Sequence, residues 1–454
     1  MSGSGDPGER ERATLSEERP APYLRRWAVF SGLIGDERGM VLPLALMVLA
    51  LLTTLVVVYL TLATVEPQIA QNLTDTARAR AVAEAGIEYG FNVIAGSSDW
   101  NALLAAGGGV LASNIPVPGL TAAAGIFTVS IRNDTLAGDA AITGVPLDTG
   151  GATTDTNGRL IMTGVSTLGR ATRTITVVVG RAQLPPFPGA LVFPGNEAEA
   201  AFTGNAFEIN GNDTNLDGTA GAGAPVYGVS VSSALPLANP GANEAVVENA
   251  LSAIQKDNVK GKRQNAALLG EGNNTVAPNA SLTPAVIAEF IAQAKAAADV
   301  TLESAQPSGL SFTNIGSTCA SNPASNTCWG TRENPKVVYI HGSPDPTSAF
   351  SALQVSGNSS GAGILIVEDG DFRFTGNFNW EGPIIVTGNW VGIGYLGGGF
   401  QQVLGAVISN ETATDPGFRE GVVTGNAKIK YSTQALANAQ KIRKLVTMYS
   451  WREG

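Results

Sequence analysis

The sequence has 454 residues, a formal net charge of −10 and no basic tract. Binding to nucleic acid depends on clusters of Lys and Arg that face phosphates, so nucleic acid is excluded as a partner. The length allows two or three domains. Charged residues make up 15% of the chain, against about 25% in an average domain, and there are 55 glycines. A neutral surface with many turns is typical of extracellular β-rich structural proteins.

Residues 1–39 form a leader. Up to Arg38 they include seven acidic and six basic side chains among Pro, Gly and Ser, with little apolar periodicity. This composition predicts disorder. Arg25, Arg26 and Arg38 precede an apolar segment, and acidic residues count little in the positive-inside rule. We therefore expect the leader in the cytoplasm and the rest of the chain on the exoplasmic side.

The apolar segment is residues 40–65, 26 residues without a charge. As a helix it would extend about 39 Å, more than the ~30 Å hydrocarbon core of a bilayer. A secretory signal has a shorter apolar region, about 7–15 residues, which precedes a small-residue cleavage site. No such site follows here. The segment is predicted to be a single transmembrane helix.

The junction Arg38-Gly39-Met40 is a charged stretch that ends in Gly before an uninterrupted apolar helix. It resembles the class III signal of type IV prepilins and pseudopilins, and from Gly39 to about Ile94 the chain is similar to PilX-type minor pilins. The resemblance implies a cut between Gly39 and Met40 by prepilin peptidase. It also implies an inner-membrane anchor that later packs against other pilin or pseudopilin subunits through residues 40–65. The alternatives are a plain membrane anchor and the buried core helix of a soluble protein.

Leu44 occupies the fifth position after the expected cut. Most major pilins have Glu there, which is thought to neutralise the amino terminus of a neighbouring subunit. A carboxylate in lipid is costly unless it is paired, so Leu44 makes the segment easier to insert. Subunits without this Glu resemble tip or initiation pseudopilins. The resemblance therefore favours a minor subunit.

Residues 66–183 are predicted to be pilin-like, a helix followed by a small antiparallel sheet. Apolar residues recur at helical spacing, although Arg80 interrupts them; they are Ile69, Leu73, Ala77, Ala83, Ile87, Phe91 and Ile94. The period then changes to two at 126–132, 159–163 and 172–179, which predicts strands. The Pro-rich linker 184–189 ends this domain.

Residues 190–432 are predicted to be a β-rich repeat domain. Thr-Gly-Asn occurs four times, and the apolar runs at 364–367, 384–386 and 406–408 are offset by about 20 residues. This spacing predicts a β-solenoid, the parallel β-helix type of fold; a β-sandwich is the alternative. Helical inserts are expected at 243–256 and after Thr283-Pro284. The segment 433–454 is predicted to be a C-terminal helix, from about Thr433 to Tyr449.

Four groups of residues are candidates for specific chemistry. Cys319 and Cys328 are predicted to form a disulfide, because an exoplasmic compartment is oxidising. Asp213, Asn215 and Asp217 match the first half of a calcium loop, but the bidentate Glu expected at its end is Ala224. A further group is the acidic cluster of Glu368, Asp369 and Asp371 beside a predicted strand, which would suit a solenoid enzyme, although a turn between coils explains it as well; the single histidine, His341, is expected to be structural. Finally, aromatic residues between 372 and 400 are expected to stack inside the β core, or to form a strip that binds sugar or a partner.

We expect a minor pilin or pseudopilin-like subunit of a type IV pilus or related secretion system, with a β-rich exoplasmic head. The expected role is structural, with no catalytic residues and no cofactor other than calcium. A membrane-tethered structural protein or adhesin that never enters a filament is the first alternative. A β-solenoid enzyme acting on polysaccharide is the second.

Overall fold

The computed structural model describes residues 41–195, 198–232, 244–264, 275–279, 281–305, 309–343, 352–396, 398–413 and 421–454. It has the expected mixed α+β class, in which a long apolar helix is followed by a β-rich part with one antiparallel and two parallel sheets. The chain divides into two units, Met1–Leu73 and Thr74–Gly454. The predicted linker at 184–189 falls inside the second unit, and that domain boundary remains a prediction.

The first helix, α1, runs from Val41 to Gly96 and includes Pro67. In the second unit its buried face consists mainly of small residues at three- and four-residue steps; the buried positions are Ala79, Val82, Ala83, Gly86, Ile87, Gly90, Ile94 and Ala95. The predicted stripe was wrong in its first part, because Ile69 and Leu73 are exposed. The contact between α1 and the sheet is made mainly by Ala and Gly, which a pattern of large apolar residues does not reveal.

An antiparallel sheet packs on this face of α1. Its strands are β1 (Val110–Pro116), β2 (Ile126–Asn133), β3 (Arg159–Leu168), β4 (Ala171–Arg181) and, last in the chain, β22 (Val446–Glu453), in the order β1-β2-β3-β4-β22. The strands predicted at 126–132, 159–163 and 172–179 are confirmed. Two short helices, α2 (Trp100–Ala105) and α3 (Asp139–Thr143), lie in the connections. The small residues of α1 let its backbone approach this sheet closely.

The predicted C-terminal helix is wrong beyond its first two turns. Helix α7 covers Thr433–Gln440, and β22 then pairs antiparallel with β4, from Val446 opposite Arg181 to Glu453 opposite Ile175. The two strands are more than 250 residues apart along the chain. Local periodicity cannot show such a pairing, which decides the structure of this segment.

In the part of the chain that the structure describes, seventeen strands lie between β4 and β22 in sequence. They are β5 (Gly189–Phe193), β6 (Ala200–Thr203), β7 (Glu208–Asn210), β8 (Tyr227–Val231), β9 (Val259–Lys260), β10 (Val276–Pro278), β11 (Val300–Glu303), β12 (Leu310–Thr313), β13 (Lys336–His341), β14 (Leu353–Ser356), β15 (Asn358–Glu368), β16 (Phe372–Phe374), β17 (Asn377–Gly388), β18 (Ile393–Tyr395), β19 (Phe400–Glu411), β20 (Gly421–Thr424) and β21 (Asn426–Tyr431). They form an 11-stranded and a 6-stranded sheet. Among the described residues, all pairings between these strands are parallel, which excludes the antiparallel β-sandwich.

From β14 to β21 the chain alternates between the two sheets. Successive strands of the larger sheet lie in register, with Leu365 opposite Ile384 and Ile384 opposite Val407. These steps are 19 and 23 residues (384 − 365 and 407 − 384), close to the predicted spacing of about 20. Three of the four Thr-Gly-Asn sequences lie at turns from the smaller to the larger sheet, where Gly204, Gly376 and Gly425 have positive φ. Glycine adopts this conformation without steric cost.

The order of strands in the larger sheet does not follow the chain. It is β10-β8-β5-β19-β17-β15-β13-β11, so β5 lies beside β19 in the middle. The chain starts at this central position, winds outward to β10, continues through α6 (Pro284–Ala296) to β11 at the opposite end, and winds back to β19. The repeat spacing does not show that the chain passes from β10 at one end of the sheet to β11 at the other end.

Helices cover part of the outer surface of the larger sheet. Thr283 caps α6 by accepting a hydrogen bond from the Val286 backbone N–H, as predicted. The buried side of α6 and the segment after α7 pack on outward-facing apolar residues of the sheet; these include Tyr339, Ile364, Ile366, Ile385 and Ile408. The insert predicted at 243–256 is two helices, α4 (Glu244–Ala250) and α5 (Ala253–Lys256), because Ser252 begins a new helix with a capping box.

Gly90 provides a test of the close contact between α1 and the sheet. A Cβ atom at this position would lie 2.6 Å from Met162 Sδ and 2.8 Å from Val129 Cγ2, whereas at Gly96 it would meet nothing within 4 Å. We expect Gly90→Val to lower the free energy of unfolding by about 1–3 kcal/mol through overpacking. Gly96→Val, the same change at an open position, should have a much smaller effect. Urea unfolding of both variants in detergent measures the difference, and equal stabilities would contradict this packing.

Candidate functional site

The first candidate site is the apolar part of α1 at residues 41–65. All of its large hydrophobic side chains are exposed, from 46% at Val65 to 75% at Val41. Burying one such side chain is favourable by about 1.5–3 kcal/mol, so the whole segment has on the order of tens of kcal/mol to gain by leaving water. Among the described residues only α1 is long and apolar enough to cross a membrane.

Four threonines within this segment hydrogen-bond to the helix itself. Thr53 and Thr54 donate to the carbonyls of Leu49 and Ala50 at 2.8 and 2.7 Å. Thr61 and Thr64 likewise donate to carbonyls three residues earlier, at 2.8 and 2.9 Å. An unpaired hydroxyl group in hydrocarbon is costly, and these bonds remove that cost. The segment therefore suits surroundings without water in spite of its polar residues.

The predicted processing site lies outside the described residues. Gly39 and Met40, like the whole leader 1–39, are not among the positions that the structure describes. Leu44 lies in the described helix and is 67% exposed. The cut between Gly39 and Met40 therefore remains a prediction from the sequence.

Arg181, which sequence analysis missed, ties the carboxyl end of α1 to the sheet. Its guanidinium group donates to the Ile94 and Ser98 carbonyls at 3.1 and 3.2 Å, donates to the Ser97 carbonyl, and lies 4.4 Å from the centre of the Trp100 ring. The last carbonyls of a helix have no partner within it and favour a cation. Burial lowers the pKa of Arg181 to about 10. The sequence does contain a signal, since Arg181 ends strand β4 just after the apolar run 177–179.

Asp155 lies beside Arg181 on an open cleft of about 250 Å³. Its carboxylate accepts hydrogen bonds from the Gly158 N–H at 2.8 Å and from Gln183 Nε2 at 3.3 Å. Burial raises the pKa of Asp155 to about 6, and the nearby Asp148 adds to this effect. The carboxyl group thus changes its charge within the pH range of many cellular compartments.

The predicted calcium ligand Asp213 is buried against the start of α7. One carboxylate oxygen accepts hydrogen bonds from the Thr433 N–H and hydroxyl at 2.8 and 3.0 Å. The other accepts one from the Gly223 N–H at 2.8 Å. Donor groups therefore face both oxygens, so Asp213 holds the helix start and its loop together as the chain is folded here.

Asp217 and Asn215 make hydrogen bonds within the same loop. Asp217 accepts from the N–H and hydroxyl of Thr219 at 2.9 and 2.6 Å, and Asn215 donates to the Thr219 hydroxyl at 3.0 Å. No group of three or more His, Cys, Asp or Glu in the described ranges is arranged to hold a metal ion. As the chain is folded here, N–H and O–H groups donate to both carboxylate oxygens of Asp213 and to one of Asp217. Calcium binding remains an untested prediction.

The acidic cluster is part of a network of ion pairs at one end of the larger sheet. Glu368 accepts a hydrogen bond from the Tyr339 hydroxyl and lies 3.2 Å from Lys295 Nζ. Burial acts to raise the pKa of Glu368, but the hydrogen bonds from Tyr339 and Lys295 outweigh it and the pKa is lowered. A general acid would need the opposite shift. Glu368 is therefore suited to an ion pair.

The other members of the cluster pair in the same way. His341, the only histidine in the sequence, lies 3.0 Å from Glu303 through Nδ1 and 3.8 Å from Asp369 through Nε2. Asp371 pairs with Arg373 at 2.6 Å. The structure does bring His341 to the acidic residues, as an enzyme would require, but the contacts of the cluster are those of a surface ion-pair network.

Cys319 and Cys328 form the predicted disulfide, with the sulfur atoms 2.08 Å apart. The loop between them precedes the fully buried Trp329. Lys336 Nζ donates to the Cys328 carbonyl at 2.8 Å and so holds the end of the loop against β13. The disulfide is thus part of the structural support for one turn of the winding chain.

No protein-family model matches the chain, and no curated protein matches it. Among solved structures, the chain is similar to the competence-associated pilin ComZ from Thermus thermophilus, with 11% identity over 84% of this chain and 98% of that one. The TM-score is 0.25. A score this low does not indicate a common fold over the aligned length, and the proposals below rest on the residues of this chain.

Reduction of the disulfide should destabilise the second unit. The cysteines are nine residues apart. A disulfide that closes so short a loop lowers the entropy of the unfolded chain and thereby stabilises the folded state by about 2–3 kcal/mol. We expect dithiothreitol to lower the urea midpoint of the full chain in detergent. The double variant Cys319→Ala with Cys328→Ala should be insensitive to the reductant, and an unchanged midpoint for the unaltered protein would contradict the assigned role.

Asp155 should make stability depend on pH in a defined direction. Because its folded pKa of about 6 lies above the unfolded value of 3.8, the folded state retains a proton between these values that the unfolded state releases. Stability therefore falls as pH rises from about 4 to 6, by up to about 1–3 kcal/mol. Asp155→Asn should be more stable than the unaltered protein at pH 7.5, with the gain absent at pH 3.5.

The exposed Asp217 provides the control, since Asp217→Asn should give no gain at pH 7.5. Urea unfolding at the two pH values measures both variants. At pH 3.5 the carboxyl group of folded Asp155 is neutral, like the amide that replaces it. A gain for Asp155→Asn of equal size at pH 3.5 and 7.5 would therefore show that the gain does not come from the charge, and would contradict the titration.

Proposed function

We propose that this protein is a membrane-anchored minor pilin or pseudopilin-like subunit, which displays a β-rich head outside the cytoplasmic membrane. One observation carries the proposal. A single helix exposes an apolar surface at residues 41–65 and buries a seam of small residues against an antiparallel sheet from Ala79 onward. A helix of this kind can hold a folded head and still offer its other end to lipid or to other helices.

The mechanism is assembly. In the bilayer, residues 41–65 contact lipid; on extraction into a filament they contact the apolar helices of neighbouring pilin subunits. Little hydrophobic burial is lost in this exchange, because both surroundings exclude water. Leu44 carries no charge for a neighbour's amino terminus, which suits a subunit present in few copies at or near the tip.

The membrane topology follows from the charges that flank the helix. Arg25, Arg26 and Arg38 keep the leader in the cytoplasm, so prepilin peptidase would cut after Gly39 and the head would fold on the exoplasmic side. The Cys319–Cys328 disulfide agrees with an oxidising compartment. The alternation of strands between two parallel sheets supports a β-solenoid for the head.

The role we propose is structural. The contacts of Glu368 argue against the solenoid-enzyme alternative, since this carboxylate pairs with Lys295 and accepts a hydrogen bond from the Tyr339 hydroxyl. The tethered adhesin that never enters a filament differs from the pilin proposal in one respect, the processing of its leader. That difference can be measured.

Gly39→Val is the decisive variant. Because prepilins are cut after a Gly, we expect the unaltered protein extracted from membranes to begin at Met40 and the variant to retain residues 1–39. Gly35→Val, the same change four residues earlier, should still be cut. Amino-terminal sequencing and intact mass measure all three. An unaltered protein that keeps its leader would support the tethered alternative instead.

A further inference from the structure

One exposed surface of the larger sheet carries uncharged polar side chains in register. Asn358 lies opposite Asn377, and Ser360 lies opposite Asn379, which in turn lies opposite Gln402. Phe378 pairs with Gln401, so Phe400, one residue earlier, lies beside Asn377. Residues that lie beside one another across the strands in this way form a column. We name this surface the amide strip, and define it as Asn358, Ser360, Asn377, Asn379, Phe400 and Gln402.

One column of the amide strip is held rigidly by its own hydrogen bonds. Asn377 Nδ2 donates to Asn358 Oδ1 at 2.8 Å, and the Phe400 N–H donates to Asn377 Oδ1 at 2.8 Å. The Asn358 N–H donates to Asn314 Oδ1 at 3.0 Å. Amide groups fixed in this way lose little conformational entropy when a ligand binds beside them.

The second column is free to bind. No hydrogen bond links the Ser360 hydroxyl or the Asn379 amide to the rest of the described chain, and both side chains are exposed. A hydroxyl and an amide each provide donors and acceptors. These groups line an open cleft of about 400 Å³ together with Asn358, Asn377 and Phe400.

Phe400 differs from the other aromatic residues of the winding strands. Phe378 and Trp380 are fully buried inside, as expected for a stacked β core, whereas Phe400 is 42% exposed at the edge of the cleft. The nearest cation to its ring is Lys428, with Nζ 5.4 Å from the ring centre. The cleft thus combines one apolar ring with uncharged donors and acceptors.

We propose that the amide strip binds a neutral glycan chain. Sugar hydroxyls donate and accept hydrogen bonds, as the amides and hydroxyl of the strip do, and the C–H face of a sugar ring stacks on an aromatic ring such as Phe400. Neighbouring strands are about 4.8 Å apart, close to the length of one hexose unit. Successive rows of the strip can therefore meet successive sugars of an extended chain.

The chemistry of the cleft argues against other occupants. A polyanion would need several cations, yet every residue that lines the cleft is uncharged. A peptide that adds a strand needs a free sheet edge. Strand β17 is paired on both sides, and on the side of β15 away from β17 the Ser360 and Ala362 N–H groups already donate to the carbonyls of Ile315 and Trp329. The proposal does not depend on whether the chain enters a filament.

The test is binding of the purified full chain in detergent to immobilised oligosaccharides. The panel contains neutral oligomers of glucose, mannose, galactose and N-acetylglucosamine, with polygalacturonate and heparin as polyanions. We expect at least one neutral oligomer to bind. Asn379→Ala and Phe400→Ala should each weaken that binding by about tenfold or more, through loss of a hydrogen bond or of ring contact.

Matched controls lie on other surfaces of the second unit. Gln354→Ala removes an exposed amide from the smaller sheet, and Trp451→Ala removes an exposed ring from β22. Neither should change glycan binding, and thermal unfolding checks that all four variants fold. The proposal is overturned if no neutral oligomer binds, if only the polyanions bind, or if Asn379→Ala and Phe400→Ala bind as the controls do.

Discussion

The apolar surface at residues 41–65 imposes the strongest constraint on this molecule. Its large hydrophobic side chains are exposed without exception, and the threonines among them bond back to their own helix. Water is an unfavourable solvent for such a surface by on the order of tens of kcal/mol. This segment therefore needs surroundings that exclude water, such as lipid or the apolar helices of other proteins. Both possibilities require the head to be held by the remainder of α1.

The attachment of α1 to the antiparallel sheet depends more on the close approach of the helix backbone to the sheet than on large side chains of the helix. Gly86 and Gly90 leave room for Phe127, Val129 and Met162 of the sheet, and Arg181 covers the last carbonyls of the helix. Dispersion contacts and charge-assisted hydrogen bonds both strengthen when groups come this close. The seam is thus suited to a helix whose other end experiences changing surroundings.

In the second unit, strands that are far apart in the sequence pair with one another. Strand β5 lies beside β19, and β22 returns to the antiparallel sheet beside β4. Removing β22 would expose an edge of that sheet, and removing β5 would separate the two halves of the larger sheet. An exposed edge invites pairing with another chain. The carboxyl terminus is therefore part of the same structure that holds α1.

Sequence analysis predicts those elements that local chemistry determines. The helix start at Thr283-Pro284, strands β2 to β4, the disulfide and the 20-residue spacing all follow from neighbouring residues. The prediction fails for elements whose structure depends on pairing with residues far away in the sequence. The strand at Val446–Glu453 forms because β4 is there to pair with it, and the central position of β5 follows from a jump through α6.

The candidate sites divide in the same way. The apolar segment is recognisable from composition. In contrast, Arg181 meets α1 across more than 80 residues, and two of the donors around Asp213 come from Thr433. Neither contact has a local signature beyond a charged residue in an apolar or turn-rich stretch. Partners that lie far away in sequence thus determine what a charged side chain does.

The most direct test of the central claim is to identify what surrounds α1 in cells before and after assembly. A photo-crosslinking residue at Leu52, which is 56% exposed, reports its neighbours on illumination. If the proposed role is correct, we predict lipid adducts in cells that lack the filament machinery, and adducts to the apolar helices of pilin subunits when that machinery is present. Lipid adducts alone under both conditions would contradict the account.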